Sequence, residues 1–383
     1  MRVKLGDVCE RGTSNLKLSD VSEKNGEFSV FGASGYIGSV DFYQQGYPYV
    51  AVVKDGAGIG RAMLCPGKTS VIGTMQYLLP KDNILPKYLF YVVKYMNLEK
   101  YFTGATIPHI YFKDYKNEEF NFDFWERQVE IVSVLSKCEK VIDLCKQELQ
   151  LLDKLIKARF VEMFGNPDVN EKNWNVYKME QLCEVGSSKR IYQNDQSLTG
   201  IPFLRISDLV NRMDTGSKDC DLFIPEELFE KFKKQGLVPA RGDILLTARG
   251  TLGRCYIIQD DDEFYFQDGM ITWLSKFDEK ITPLYISYLF EMPEFRKQID
   301  SLQAGSTVAY LSISMTKELN VMVPPLELQN QFAAFVAQTD KSKFDIHKFL
   351  YCTSNNTQSI IKPRPNTKES GKTRGGKLYA DEF

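Results

Sequence analysis

Four short segments of this chain recur, in the same order, in its second half. The pairs are 3–10 and 177–184, 53–61 and 246–254, 104–107 and 305–308, and 126–128 and 327–329. The offset between copies grows from 174 residues at Cys9 and Cys183 to 201 residues at Gly104 and Gly305. Insertions of this kind belong in surface loops rather than in a core. The sequence therefore predicts a duplication, with two related domains in tandem rather than one fold.

Each copy is expected to be a mixed α+β domain. Both copies contain one run typical of a strand and one short helical pattern, at 49–53 and 86–98 and at 243–247 and 283–290. A chain of 383 residues is also longer than one ordinary domain. We therefore predict two tandem mixed α/β domains, at 1–125 and 166–325.

A long helix is predicted between the two copies. Residues 126–164 contain neither Gly nor Pro, and Gly165-Asn166-Pro167 then provides a helix stop signal. At about 1.5 Å per residue the segment would span roughly 58 Å. Its apolar residues alternate at spacings of four and three, which is the heptad pattern of a coiled coil: Ile131, Leu135, Cys138, Ile142, Cys145, Leu149, Leu152 and Ile156. This pattern favours a coiled-coil spacer at 126–165 over an ordinary long core helix, because the charged residues in between suit only a narrow contact.

A similar but weaker helical pattern follows the second copy at 326–350. Its matching seam positions hold Phe332, Val336, Thr339, Ile346 and Leu350, and Lys343 interrupts them. From 351 to 383 Asn, Thr, Ser, Lys, Gly and Pro dominate, and the apolar content is too low for a packed core. We therefore expect a shortened second helix and a disordered tail.

Charge and hydropathy restrict the classes of protein to consider. Lys and Arg number 48 against 50 Asp and Glu, and neither half is the basic body typical of a stand-alone nucleic-acid binder. DNA binding would thus need a local basic face or a partner. The chain has no run of about 20 apolar residues, and residues 1–7 lack the apolar stretch of a signal peptide. We expect a cytoplasmic protein without membrane contact.

Metal binding is not expected. The eight cysteines include no Cys-x-x-Cys pair, and with only His109 and His347 no zinc-ligand spacing can be assembled. Cys138 and Cys145 fit better as small apolar residues of the helical seam. We expect a reduced chain without a metal.

A glycine-rich turn at 55–60 is the first candidate for chemistry. A phosphate-binding turn needs a helix N-terminus directly afterwards, whereas 61–67 is more typical of another strand, so a tight turn between strands is the plainest interpretation. In the functional alternative, cations on such turns project towards DNA, and glycine permits close backbone approach. The candidate DNA contacts are Lys54, Arg61, Lys189, Arg190, Arg205, Arg249 and Arg254.

Catalytic motifs are missing from the sequence. An adenine methyltransferase carries a short Asp/Asn-Pro-Pro-Tyr/Phe motif, which neither 166–168 nor 323–326 matches. The acidic run 260–263 is more typical of a solvated loop than of a nuclease site. His109 fits a structural or DNA-contacting role better than the role of a general base. We expect no enzyme activity, and the missing motif argues against a self-sufficient modification enzyme.

The complete pattern resembles the specificity (S) subunits of type I restriction-modification systems over about residues 1–350. The similar segments are the domain openings at 4–7 and 178–181, Gly-Ser-Thr-Val at 305–308 with its echo at 104–107, and the segments 164–174 and 324–329. The resemblance implies two target-recognition domains that each read half of a split double-stranded DNA target. It also implies an antiparallel helix pair that docks two methyltransferase subunits, which restriction subunits then join.

The resemblance further implies that S-adenosylmethionine, ATP and magnesium are bound by those partner subunits. It assigns the seam residues to the helix pair and to subunit docking, namely Ile131, Leu135, Ile142, Leu149, Leu152, Ile156, Phe332, Val336 and Ile346. A stiff spacer could hold two heads on half-sites about one DNA turn, roughly 34 Å, apart.

The C-terminal segment departs from the family pattern. Members carry a full second helix, whereas the heptads here fade near Leu350. A truncated or silent copy that serves as a recombination donor is therefore one alternative. A coiled-coil scaffold without DNA binding is another.

Overall fold

The computed structural model describes residues 1–22, 26–103, 108–302 and 309–361. The chain divides into two compact units: unit 1 is Met1–Lys146 together with the chain from His347 onward, and unit 2 is Gln147–Ile346. The repeated motif at 104–107 and 305–308 lies outside the described residues, and so does 362–383.

Unit 1 contains nine strands and the first five helices in its described residues. The strands are β1 (Arg2–Lys4), β2 (Cys9–Thr13), β3 (Phe28–Gly32), β4 (Gly35–Val40), β5 (Tyr49–Val53), β6 (Ala62–Cys65), β7 (Ser70–Val71), β8 (Met75–Pro80) and β9 (Glu119–Asn121). The helices are α1 (Leu5–Val8), α2 (Ser19–Ser22), α3 (Pro86–Tyr95), α4 (Phe112–Tyr115) and the long α5 (Trp125–Phe164), which continues into unit 2.

Unit 2 contains the next nine strands and six helices in its described residues. The strands are β10 (Asn175–Lys178), β11 (Glu184–Gly186), β12 (Ile201–Leu204), β13 (Phe223–Ile224), β14 (Ile244–Thr247), β15 (Cys255–Ile257), β16 (Tyr265–Phe266), β17 (Ile271–Ser275) and β18 (Asn320–Val323). The helices are α6 (Ile206–Thr215), α7 (Glu226–Lys234), α8 (Pro283–Glu291), α9 (Pro293–Leu302), α10 (Ile313–Glu318) and α11 (Leu326–Ile361), the last of which continues into unit 1 from His347.

The two units have the same sheet topology. Each contains a four-stranded antiparallel sheet, in the order β2-β8-β5-β6 in unit 1 and β11-β17-β14-β15 in unit 2. Each also has a three-stranded sheet with one parallel pair, β4-β3-β7 and β13-β12-β16, and a two-stranded pair, β1-β9 and β10-β18. The predicted α+β class and the tandem duplication are therefore confirmed at the level of strand order.

The central strand of each four-stranded sheet is buried on both faces. All five residues of β5 are buried, and so are all four of β14. In β5, Val50 and Val52 pack into one apolar cluster with α3, whereas Tyr49, Ala51 and Val53 enter a second cluster. A continuous apolar run is what a strand buried on both faces requires, and both runs were predicted as strands.

A buried glutamine anchors the start of each long helix. The Gln128 amide accepts from the Leu85 N–H and donates to the carbonyls of Asn83 and Asp123. Gln329 repeats this pattern with Thr282, Lys280 and Pro324. Because Leu85 and Thr282 are the N-caps of α3 and α8, each glutamine ties a long helix to the helix that follows the sheet. These bonds explain why the segments 126–128 and 327–329 match.

One narrow stripe of α5 is shielded from solvent, as the heptad pattern predicts. Ile131, Leu135 and Ile156 are buried, and the other five predicted seam residues are half-buried. From Asp143 to Leu155 every residue outside the seam is exposed. Ile131 and Leu135 belong to the core of unit 1, whereas Ile156 belongs to the core of unit 2.

The second long helix extends beyond its predicted end. Helix α11 runs from Leu326 to Ile361 rather than stopping at 350, so the first part of the predicted tail is helical. Lys343 does not interrupt the seam: its side chain is 20% exposed, and its Nζ lies 2.7 Å from Asp153 Oδ1 and 3.4 Å from Asp340 Oδ1. The predicted end near 350 was wrong because a seam lysine with two carboxylate partners can remain inside a helix.

Within unit 2 the end of α5 and the start of α11 run antiparallel. The rings of Phe164 and Phe332 lie 5.4 Å apart, whereas Asp153 contacts Lys343. Residues earlier in α5 therefore lie beside residues later in α11. Phe160 stacks on Tyr285 of α8 with centroids 5.4 Å apart, which joins the helix pair to the unit 2 core.

Candidate nucleic-acid interface

The glycine-rich segment of unit 1 is a turn that joins the antiparallel strands β5 and β6, as the plainest interpretation predicted. Gly60 donates its N–H to the Val53 carbonyl, and Val53 donates to Arg61. Gly60 has a φ of 78°, and a Cβ there would lie 2.6 Å from the Glu99 nitrogen. Glycine is therefore required at this position by the backbone of the turn and not by a ligand.

Unit 2 repeats this turn with the same backbone bonds. Gly253 donates to the Thr247 carbonyl, and Thr247 donates to Arg254. This pairing makes Arg61 and Arg254 structurally equivalent.

A second chain segment meets each turn, and it brings different side chains together in the two units. In unit 1 Asp55 forms a β-bridge with His109, and in unit 2 Arg249 forms one with Tyr310. The Asp55 carboxylate contacts His109 Nδ1, and it lies 2.6 Å from Lys54 Nζ. The Arg249 guanidinium lies 4.8 Å from the Tyr310 ring centroid. The same scaffold position is therefore acidic in unit 1 and basic in unit 2.

Four of the seven predicted DNA contacts are already ion-paired. The pairs are Lys54–Asp55 at 2.6 Å, Arg190–Asp268 at 2.8 Å, Arg205–Asp208 at 3.0 Å and Arg254–Asp214 at 2.6 Å. The side chains of Arg190 and Arg205 are 64% and 40% exposed, and exposed pairs of this kind are weak enough to exchange partners. Nevertheless, each of these cations offers DNA less net positive charge than its sequence position suggests.

The other three predicted contacts have no carboxylate partner among the residues that the structure describes. Arg61 donates from Nη1 to the Ala33 carbonyl at 3.4 Å, and Lys189 Nζ lies 5.6 Å from the Phe232 ring centroid. Arg249 stacks on Tyr310. The positive charge of these three is not offset by a described carboxylate, and their contact with DNA stays a prediction.

A cavity of about 320 Å³ in unit 1 contains residues that the sequence interpretation missed. It is lined by Arg11, Thr13, Ser14, Asn15, Lys54, Gln76, His109, Ile110, Tyr111 and Phe112. Gln76 is 2% exposed, and its Nε2 has no hydrogen-bond partner among the residues that the structure describes. A signal was present in the sequence, because Gln76 is a polar residue in the otherwise apolar start of β8. Its significance became visible only when four separate segments met around it.

The predicted helix-pair residues face inward. Ile131, Leu135, Ile156, Phe332 and Val336 are buried, and the remaining seam residues Ile142, Leu149, Leu152 and Ile346 are half-buried. Their packing role is therefore visible within the chain, whereas their role in subunit docking stays a prediction.

The thiols and acidic groups of the described residues form no group of three or more that could hold a metal ion. Burial raises the pKa of Cys9 and of Cys183 to about 12 and that of Cys65 to about 11, so these thiols stay protonated. Cys138 and Cys145 lie half-buried in the seam. In the described part of the chain, no helix combines the length and the apolar character that a membrane crossing needs.

Comparison with known proteins agrees with this architecture. The family described as "Type I restriction modification DNA specificity domain" matches residues 1–154 and 171–351. The chain is similar to a putative type I restriction enzyme specificity subunit of Haemophilus influenzae, with 29% identity over 173 residues, and to the MjaVIII specificity subunit of Methanocaldococcus jannaschii, with 24% identity over 314 residues. These matches cover 43% and 76% of this chain. They span 42% of the first relative, which is less than half its length, and 72% of the second.

Two solved structures share the fold. One is the S subunit of a type I restriction-modification system from M. genitalium, with a TM-score of 0.54 and 16% identity over 94% of each chain. The other comes from work on complex assembly and conformational transition of the type I R-M system, with a TM-score of 0.51 and 14% identity over 94% of this chain and 96% of that one. At such low identity the likeness is one of fold.

Proposed function

This chain belongs to the family of type I restriction-modification DNA specificity domains, and from that premise we propose that it selects a two-part DNA target for a type I complex. The observation that carries the proposal is the repetition of one sheet topology in two units, each built on the same central strand and turn. Two copies of one reader, joined by long helices, suit a target made of two separated half-sites.

The two readers present different chemistry at the same scaffold position, which supports recognition of two different half-sites. Arg249 offers a guanidinium, and arginine pairs best with the O6 and N7 acceptors of guanine. Asp55 offers a carboxylate, which accepts hydrogen bonds from base amino groups. We propose that these two turns approach the DNA, with Arg61 and Lys189 contacting the phosphates.

An exposed apolar stripe on α5 is our proposed docking surface for methyltransferase subunits. Each of its residues directly precedes a seam residue in the sequence: Val134, Val141, Leu144, Leu151 and Leu155. They are between 40% and 62% exposed, although a helix of a monomeric protein usually turns such residues inward. The seam residues themselves are occupied by packing within the chain, so they would support docking by keeping the helix in place.

The catalytic steps and their cofactors belong, in this proposal, to the partners. The methyltransferase subunits would bind S-adenosylmethionine, and the restriction subunits would bind ATP and magnesium. The partners would also supply part of the attraction for phosphate, since this chain has a net charge of −2.

The decisive experiment measures DNA binding by the chain assembled with its methyltransferase subunits. Methylated adenines are first mapped in the source genome with and without the gene, which identifies the target. We expect binding to DNA that carries both half-sites, and loss of that preference when base pairs are added between them. Binding without sequence preference would refute the proposal and would favour a scaffold role.

Arg249→Gln is expected to relax recognition in one half-site only. The substitution removes a bidentate donor pair, so discrimination at one base pair should fall roughly 10- to 100-fold, while the other half-site is unaffected. Arg254→Gln is the control, because Arg254 already donates to Asp214. Equal effects of both substitutions, or an effect on both half-sites, would contradict this assignment.

A further inference from the structure

The cavity around Gln76 in unit 1 differs from other cavities of the described chain in its charge. None of its ten lining residues is a carboxylate, whereas Arg11 and Lys54 are cations. Three other cavities all include acidic side chains. These are Glu139 and Asp143 in the first cavity, Glu180, Glu184 and Asp243 in the second, and Glu291 and Asp340 in the third. The lining of the Gln76 cavity therefore favours an anion.

Gln76 supplies a hydrogen-bond donor that the protein leaves unused. It lies on β8 opposite Thr13 of β2 and Val52 of β5, so its backbone is held on both sides by the sheet. Its side chain is buried, and within the described part of the chain Nε2 has no hydrogen-bond partner. A buried donor without a partner is costly, so its presence calls for an explanation, and a bound ligand that completes it is one.

Among the cations that line the cavity, Arg11 is available to contact an anion. The Asp55 carboxylate contacts both Lys54 and His109, and it offsets the positive charge of Lys54. Arg11 is exposed and has no carboxylate partner among the described residues. Arg11 and the Gln76 amide are thus donors without a partner among the described residues, and both line the cavity, as do the polar side chains of Thr13 and Asn15.

We propose that this cavity binds a phosphate group, and that the phosphate comes from the backbone of the bound DNA. A phosphate presents several acceptor oxygens and a negative charge, so it can accept from Arg11 and from Gln76 at once. The source of the phosphate rests on the proposed DNA-reading function. A contact of this kind fixes the register of unit 1 on the duplex without reading its sequence.

The equivalent position of unit 2 holds a different residue, so we assign the phosphate site to unit 1. Met75 in unit 1 and Ile271 in unit 2 pair with equivalent residues of the central strands. The residues that follow them, Gln76 in β8 and Thr272 in β17, therefore occupy equivalent positions. Unit 2 therefore lacks the long amide, and it presents Arg249 near its turn instead. The phosphate anchor should act on one half-site.

The test uses the chain assembled with its methyltransferase subunits, and two substitutions. Gln76→Leu removes the donor but keeps the approximate volume, and Arg11→Gln removes the charge. Both are expected to weaken binding about tenfold on target and non-target DNA alike, and Arg11→Gln should lower the salt slope by about one. Arg2→Gln is the matched control in the same unit, since Arg2 lies outside the cavity and already pairs with Glu119 at 3.6 Å.

Thermal melting separates binding from folding. Because Gln76→Leu removes an unsatisfied buried amide, we expect its melting temperature to equal or exceed that of the wild type while DNA binding falls. A variant that melts earlier and binds less would point to a structural role for Gln76 and would overturn the proposal.

The remaining outcomes are equally decisive. If the wild type binds its split target and both variants match it, the cavity proposal fails and the DNA-reading function stands. If the variants lose only target binding at an unchanged salt slope, the cavity reads a base and not a phosphate. If millimolar inorganic phosphate stabilises the wild type but not Gln76→Leu, while DNA binding is unchanged, the phosphate source is not DNA. If the wild type shows no DNA preference, the proposed function itself fails.

Discussion

Buried polar side chains in this chain differ in whether their hydrogen bonds are complete. Gln128 and Gln329 are at most 1% exposed, and both amide groups are bonded to backbone partners. Gln76 is buried to a similar degree, but its Nε2 donor has no partner in the described ranges. Complete bonding is typical of a structural role, whereas a missing partner is one that a ligand can supply. Sequence alone gives three glutamines in apolar surroundings, and it cannot separate these two cases.

Replacing Gln329 should destabilise unit 2. Gln329→Leu would leave the Thr282 N–H and the carbonyls of Lys280 and Pro324 without their partner, so the free energy of unfolding should fall by about 2–4 kcal/mol. Chemical denaturation measures this loss. Gln331→Leu, at an exposed position of the same helix, should change stability by less than about 0.5 kcal/mol. Similar losses for the two variants would contradict the anchoring role.

At the scale of elements, the heptad seam was predictable because it depends only on local spacing. Ile131 to Ile156 follow a period that any helix must present on one face, whatever it packs against. The end of α11 was not predictable, because Lys343 is unfavourable in a seam until a partner is known. That partner is Asp153, which lies far away in the sequence and comes close only when the helices run antiparallel.

Charge reversal tests the antiparallel register within unit 2. The nearby carboxylates of Asp153 and Asp340 outweigh the effect of burial and raise the pKa of Lys343, so the lysine stays charged. Lys343→Glu would place three carboxylates together, and we expect a loss of about 1 kcal/mol in unfolding free energy, since Asp153 is 63% exposed. Adding Asp153→Lys should restore part of it, which a double-mutant cycle would measure.

Lys341→Glu is the matched control for this register. Lys341 is exposed on the same helix, so its reversal should have little effect, and Asp153→Lys should not compensate it. Compensation of both lysines to the same extent would indicate a general charge effect and not a specific pair.

At the scale of the whole molecule, both units bury a thiol at the equivalent place and should share one response to alkaline pH. Cys9 donates to the Leu5 carbonyl, and Cys183 donates to that of Met179. Burial raises the pKa of both thiols from 9.0 to about 12. The folded chain therefore favours the neutral thiol, and this stabilisation is present below pH 9 and lost as the pH rises towards 12.

Melting temperature measured between pH 8 and 12 checks this expectation. Each buried thiol should contribute a slope of up to about 1.4 kcal/mol per pH unit in that window, and Cys9→Ala or Cys183→Ala should flatten the decline. Cys352→Ala is the control, since Cys352 is exposed. If the exposed control flattens the profile as much as the buried variants do, burial is not the cause.

The sequence by itself determined the duplicated plan, the buried central strands and the helical seam. Each of these depends on residue order within one segment or on the repetition of that order, and burial of an apolar face follows directly from the spacing. The tertiary structure alone decided which cations keep a free charge, because Arg190 and Arg254 find Asp268 and Asp214 in distant parts of the chain. It also assembled the cavity around Gln76 from four separate segments. Charge compensation and cavities are properties of positions in space, and no local pattern of residues specifies them.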